Sequence, residues 1–125
     1  MRTPSDYKKN WGKRYHIRPG EVELKPLFQK SFYGKAAVIP CGDVKILRSY
    51  DTLFAAAYDG KMALISEMPI SETANNHLQA FAHECGISYH RQKKERSKWK
   101  VCISETDDPA LIADDVRRCI GKHAA

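Results

Sequence analysis

Several common signatures are missing from this chain. No run approaches the roughly 18 apolar residues of a membrane-spanning helix. The start, Met1-Arg2-Thr3-Pro4-Ser5-Asp6-Tyr7-Lys8-Lys9, has positive charge but no apolar stretch behind it, so no secretory signal is expected. The four cysteines, Cys41, Cys85, Cys102 and Cys119, stand at least 17 positions apart, and no Cys-x-x-Cys occurs. That spacing argues against a zinc ribbon or a thioredoxin-like site. Together with the missing signal it suggests reduced thiols in a cytoplasmic protein rather than a disulfide framework. Gly-x-Ser-x-Gly, P-loop, Gly-x-Gly-x-x-Gly and His-Glu-x-x-His are all absent. The carboxylate pairs Asp107-Asp108 and Asp114-Asp115 read as helix-capping and surface groups. A non-enzymatic protein without cofactor or metal is the expectation. His77 and His83 crowd one helix with Cys85, but a six-residue gap puts the two histidines on different helix faces, which suits surface or half-buried rings better than ligands.

What is present is a domain's worth of ordinary globular sequence. The 125 residues are 42% hydrophobic and 29% charged, enough to bury a core without staples. Lys and Arg number 21 against 15 Asp and Glu, a net charge of +6. That excess is unevenly spread. Residues 1–35 hold nine basic and three acidic residues, and residues 90–100 hold six and one. Elsewhere the chain is mildly acidic. Clustering of this kind is better evidence for an anionic partner than a high isoelectric point alone.

Along the chain, Pro4, Gly12, Pro19, Gly20 and Pro26 interrupt residues 1–30, which read as an extended or partly disordered basic arm. Val22, Leu24, Leu27 and Phe28 could dock its last part, and the folded domain is assigned to residues 31–123. Phe32–Ile39 reads as a strand closed by Pro40-Cys41-Gly42-Asp43, with Val44–Tyr50 returning. Thr52–Tyr58 and Lys61–Glu67 flank Asp59-Gly60, whose two residues favour a type I′ hairpin because glycine tolerates the positive φ. Tyr50, Phe54 and Tyr58 could share one strand face, as core or as a partner patch. The period then changes. Ser71 is a good N-cap, and Ala74, Leu78, Phe81, Ala82 and Cys85 form one apolar helix stripe ended by Gly86. Ile87–Gln92 and Lys98–Ile103 read as two further strands. A last helix starts at Pro109 behind Asp107 or Asp108, buries Ile112, Val116, Cys119 and Ile120, pairs Asp114 with Arg118, and stops at Gly121. The order ββββ-α-ββ-α predicts an α+β fold: one antiparallel sheet covered by two helices, in a single small domain.

Two basic segments are the candidate binding residues. The first, His90 to Lys100, falls at the expected tip of a hairpin and offers Arg91, Lys93, Lys94, Arg96, Lys98, Trp99 and Lys100. Cations this close repel one another, and only an outside anion relieves them. A two-stranded ribbon can enter the major groove or follow a phosphate backbone. The second is the arm, where Lys8, Lys9, Trp11, Lys13, Arg14, Tyr15 and Arg18 interleave aromatics with cations. Aromatic rings can stack on bases while the cations track phosphates. The alternatives are an acidic protein surface for the hairpin, or plain solvated charge for either segment.

The stretch Gln29-Lys30-Ser31-Phe32-Tyr33-Gly34-Lys35-Ala36, then Leu47-Arg48-Ser49-Tyr50-Asp51-Thr52, then His77 and Phe81, resembles small uncharacterised proteins of phages and mobile elements in Firmicutes. The resemblance covers about residues 29–85. Glu72-Thr73-Ala74 stands where that group often has Ala-Thr-Thr. It implies a phage or mobile-element accessory protein and carries no catalytic residue. Proteins of that setting include inhibitors of host defences, among them anti-CRISPR proteins that occupy nucleic-acid sites on CRISPR effectors. The expectation is a binding protein for nucleic acid or a protein–nucleic-acid complex, with inhibition of a CRISPR effector as its specific form. A DNA-binding accessory protein and an interaction module with incidental charge are the alternatives.

Overall fold

The structure, a computed structural model, describes residues 15–27, 29–66, 72–87, 100–103 and 106–121, without the side chains of Lys100 and Val101. Its elements are β1 (Val22–Glu23), β2 (Ala36–Cys41), β3 (Val44–Ser49), β4 (Thr52–Tyr58), β5 (Lys61–Leu64), α1 (Glu72–Glu84), β6 (Lys100–Val101) and α2 (Pro109–Gly121). The six strands form one sheet in sequence order. β1 to β5 pair antiparallel, and β6 joins β5 in parallel. This is an α+β domain.

Each helix covers one face of the sheet. Leu47, Ala55, Ala57 and Met62 pack with Ala74, Leu78 and Phe81 of α1. Val44, Ile46, Ala56 and Ala63 pack with Ile112, Val116 and Ile120 of α2. Burial on both sides explains why β3 does not alternate cleanly: Leu47, Arg48 and Ser49 are all buried in succession. A bulge where β3 meets β4 at Leu47/Arg48 adds to this, since Phe54 and its neighbour Ala55 both join the α1-side core.

The turns follow their residues. Asp59 (φ 51°) and Gly60 (φ 72°) make the expected type I′ hairpin between β4 and β5. Gly42 opens the β2–β3 turn at φ 65°. Arg117 of α2 clamps that hairpin, donating to Asp43 Oδ1 at 2.6 Å and to the Cys41 carbonyl at 3.0 Å. α1 ends as Gly86 suggests. With Gly86 at φ 68°, its N–H reaches the His83 carbonyl and the Ile87 N–H reaches that of Ala82, a Schellman closure. At the start of α2, Asp108 Oδ1 accepts from Ala110 N–H at 3.0 Å, so Asp108 is the cap behind Pro109.

Several expectations are corrected. Phe32–Lys35 is a turn, not the start of a strand, because Tyr33 (φ 53°) and Gly34 (φ 77°) both take positive φ and Lys35 N–H bonds the Phe32 carbonyl. Val22 and Glu23, placed in the arm, enter the sheet as β1, while Leu24 docks on the body as expected, at 1% exposed. Of the strand expected over Lys98–Ile103, Lys100–Val101 is strand and runs parallel to its neighbour, Cys102 and Ile103 are not strand, and Lys98 and Trp99 lie outside the described residues. Ile87 lies outside any strand, and Ser71, Phe28, Glu67 and the rest of the expected 87–92 strand lie outside the described residues. Tyr50, Phe54 and Tyr58 do not share a face: Tyr50 is a turn residue, Phe54 packs toward α1, and Tyr58 toward α2. Arg118 pairs with Asp115, and Asp114 with Arg117. Not all four thiols are free. Cys102 and Cys119 form a disulfide between the end of β6 and α2, leaving Cys41 and Cys85 reduced.

Candidate functional site

Most of the residues expected to bind lie outside the described residues: Lys8, Lys9, Trp11, Lys13, Arg14, Arg91, Lys93, Lys94, Arg96, Lys98 and Trp99. The structure fixes what bounds the second segment. Before it, α1 closes at Gly86. After it, Lys100 stands opposite Ala63 of β5. Two arm residues are described. Tyr15 Oη donates to Asp51 Oδ2 at 3.3 Å, and Arg18 Nη2 to Asp51 Oδ1 at 3.0 Å. About half of each ion-pair side chain is exposed, so this pair holds the segment loosely.

A second arm contact is buried. Arg18-Pro19-Gly20-Glu21 is a tight turn, with Gly20 at φ 83° and Glu21 N–H bonded to the Arg18 carbonyl. Proline second and glycine third are the residues a type II turn requires. The turn aims Glu21 at Arg48, which is 0% exposed. Arg48 Nε and Nη2 donate to the two carboxylate oxygens at 2.8 and 2.9 Å. Nη1 reaches the carbonyl of Tyr50 (2.6 Å), and Nη2 also those of Gly34 (3.1 Å) and His16 (3.2 Å). One guanidinium thus ties together the arm, the Tyr33-Gly34 turn and the β3–β4 turn. Burial pushes the Glu21 carboxyl up, but the Arg48 hydrogen bonds, the Arg18 N–H and both positive charges outweigh it and hold the group below its ordinary range.

On the opposite face of β3, Ser49 meets α1. Ser49 Oγ lies 2.8 Å from His77 Nδ1. The imidazole is not a surface or half-buried ring as its position on the helix suggested. His77 is 1% exposed, with Phe32 edge-on at 4.7 Å and Tyr50 tilted at 5.6 Å. Tyr15 stacks edge-on against Tyr50 in turn, at 5.3 Å. Burial, then the charges of Lys35 and Arg48, lower the His77 pKa from 6.5 to about 4, so the ring is neutral at pH 7. A serine hydroxyl on a histidine is half of an acyl-transfer dyad. Here Ser49 is itself 1% exposed, and among the described residues no third group orients the imidazole. The pair's evident work is to lock α1 onto β3.

Above this pair opens a cleft of about 270 Å³, lined by Tyr33, Lys35, Tyr50, Asn76 and His77 with Gln29 at its side. A wider one of about 510 Å³ shares Tyr33 and Lys35 with it. Tyr33 is 66% exposed. Sequence reasoning did not single these residues out as a site. The signal that could have done so was the pair of short runs around Phe32-Tyr33-Gly34-Lys35 and Ser49-Tyr50, which the fold brings together at His77.

No helix among the described residues is long and apolar enough to cross a membrane. No curated protein and no solved structure matches the chain. Residues 22–100 match the model of a family described as a family of unknown function, DUF8033, and with more than half of its length matched the chain belongs to that family.

Proposed function

We propose that this DUF8033 member is a non-enzymatic binding protein for nucleic acid or a protein–nucleic-acid complex, engaged through the basic segment that leads into β6. One observation carries this reading: the charge of the described body is balanced, and the excess lies in two segments outside it. The described residues hold ten Lys and Arg against eleven Asp and Glu. Their arginines, Arg18, Arg48, Arg117 and Arg118, are each paired with a carboxylate of the domain. Residues 88–99 hold five Lys and Arg against one Glu, and residues 1–14 hold five against one Asp. The body's arginines serve its own architecture. In the sequence the segment 90–100 lies between the closed end of α1 and the start of β6, two described points of the domain.

The mobile-element origin and the inhibition of a CRISPR effector belong to the resemblance of the Phe32–Lys35, Leu47–Thr52 and His77 runs, and form the narrower version of the proposal. The test of the general version is binding to random DNA and RNA by the full chain. A variant with Lys93, Lys94, Arg96 and Lys98 changed to Glu should lose that binding while melting at the same temperature. Retained binding by the variant would contradict the assignment. Co-purification with an effector, with and without its guide RNA, tests the narrower form, and no association in either state would remove it.

A further inference from the structure

One concave site outside the basic segments combines exposed aromatic surface, side-chain amides and a cation. Its most informative member is Tyr33. The backbone there has φ 53°, a conformation that costs an aromatic residue energy and that glycine or asparagine adopts more readily. The ring gains little from packing, being 66% exposed. The turn that carries it is held from behind. Gly34 has φ 77°, and a Cβ on it would collide with the Tyr15 carbonyl. Arg48 also takes the Gly34 carbonyl at 3.1 Å. The fold therefore keeps a mostly exposed ring on a strained but firmly seated turn, an arrangement found at ligand-contacting positions.

The cleft beside that ring has matching chemistry. Tyr33 and Tyr50 are among its walls, Lys35 supplies a cation, and the side chains of Asn76 and of Gln29, whose Nε2 donates to the Ser31 carbonyl at 2.8 Å, line it with amides. His77 also lines it, 1% exposed, with Nδ1 on Ser49 and with no hydrogen-bond partner for Nε2 among the described residues. At about 270 Å³ the cleft falls just under the range of drug-sized sites, which suits a single planar group rather than a large ligand. The neighbouring 510 Å³ cleft, across Tyr33 and Lys35, leaves room for a continuing chain.

We infer that this cleft binds one nucleotide unit, its base against Tyr33 and Tyr50, its polar edge toward the amides and His77, and its phosphate on Lys35. A π-face for stacking beside a cation for the phosphate is the combination that single-stranded nucleic acids and free nucleotides share. The inference rests on the nucleic-acid reading above where the nucleotide belongs to a strand, and stands without it where the nucleotide is free.

The full chain is titrated with adenosine 5′-monophosphate, with an eight-residue oligodeoxyadenylate and with inorganic phosphate, following the His77 ring signals by NMR. Both adenine ligands should move the His77 resonances, and inorganic phosphate should not. Tyr33→Gly relieves the backbone while removing the ring, so it should fold at least as stably and bind about tenfold more weakly. Lys35→Gln should weaken binding of either nucleotide. If the oligonucleotide binds more tightly than the monophosphate even after the four-charge reversal, the bound nucleotide belongs to a single strand. Equal affinities in that background identify a free nucleotide. An oligonucleotide that binds with a steep salt response, while His77 stays unmoved and Tyr33→Gly has no effect, overturns the cleft and leaves the basic segment's role intact. Monophosphate binding at His77, with no contribution from the basic segment to oligonucleotide binding, upholds the cleft and removes the proposed function. No binding of either adenine ligand overturns the cleft and leaves the proposed function to its own test with random DNA and RNA.

Discussion

Acidification from pH 7 to pH 4 should remove about 3 kcal/mol of stability through His77 alone. In the unfolded chain a histidine takes up its proton near 6.5, whereas in the fold burial, with Lys35 and Arg48 nearby, delays protonation of His77 until about 4. The folded value is the lower one, so the unfolded state binds the proton first. Stability is therefore complete above about pH 6.5 and declines as the pH falls toward 4. At 1.36 kcal/mol per pH unit, the loss reaches about 2 kcal/mol at pH 5 and about 3 at pH 4. Glu21 acts in a lower window. Its carboxyl lies below its ordinary 4.5, so its contribution is present above that value and fades only beneath it. Between pH 6.5 and 5 the decline attributed to the core belongs to His77. The assay is urea unfolding of the wild type and of His77→Phe at half-unit intervals. The variant keeps a ring against Phe32 and Tyr50 and cannot titrate. The difference between the two curves should shrink by about 2 kcal/mol from pH 7 to pH 5. Parallel curves would refute the neutral, buried imidazole.

Three further outcomes follow from the same packing. Arg48→Met should destabilise the fold by about 3–5 kcal/mol, because it strands the buried Glu21 carboxylate, while Arg48→Met with Glu21→Leu should recover much of the loss in chemical denaturation. Gly34→Ala should lower the melting temperature markedly, since it sets a Cβ against the Tyr15 carbonyl at φ 77°; Gly60→Ala, with open space around it at φ 72°, should cost less. Reduction of Cys102–Cys119, which closes a 17-residue separation, should cost about 3 kcal/mol. Alkylation of the denatured, unreduced protein should mark two thiols, Cys41 and Cys85, and a count of four would remove the disulfide.

What the sequence revealed and what it hid have separate physical origins. Asp59-Gly60, the α1 stripe ending at Gly86, and Pro109 behind an aspartate are local signals, each fixed by a few neighbouring residues, and the structure contains all of them. The misjudged features depend on what packs across space. β3 looked irregular because alternation fails once helices cover both faces. Phe32 to Lys35 looked like a strand because apolar and aromatic residues are common there, yet the turn is fixed by Tyr33 accepting positive φ, a choice no propensity favours. His77 looked superficial on its own helix, and only the partner strand supplies Ser49 to bury it. The pairing of Cys102 with Cys119 depends on β6 lying beside α2, which spacing alone does not specify. Of the candidate binding residues, the sequence offered a charge pattern, and Tyr15 and Arg18 are now seen engaged with Asp51 of the domain itself.

The central claim is that the basic segment leading into β6 meets phosphates. Its most direct test is the affinity of the full chain for a random-sequence duplex and a random single strand across a salt series. Each phosphate neutralised adds nearly one unit to the slope of log K against log salt. The account predicts a slope of about −3 to −5, reduced nearly to zero when Lys93, Lys94, Arg96 and Lys98 become Glu. A flat salt response in the wild type, unchanged by the reversal, would contradict it.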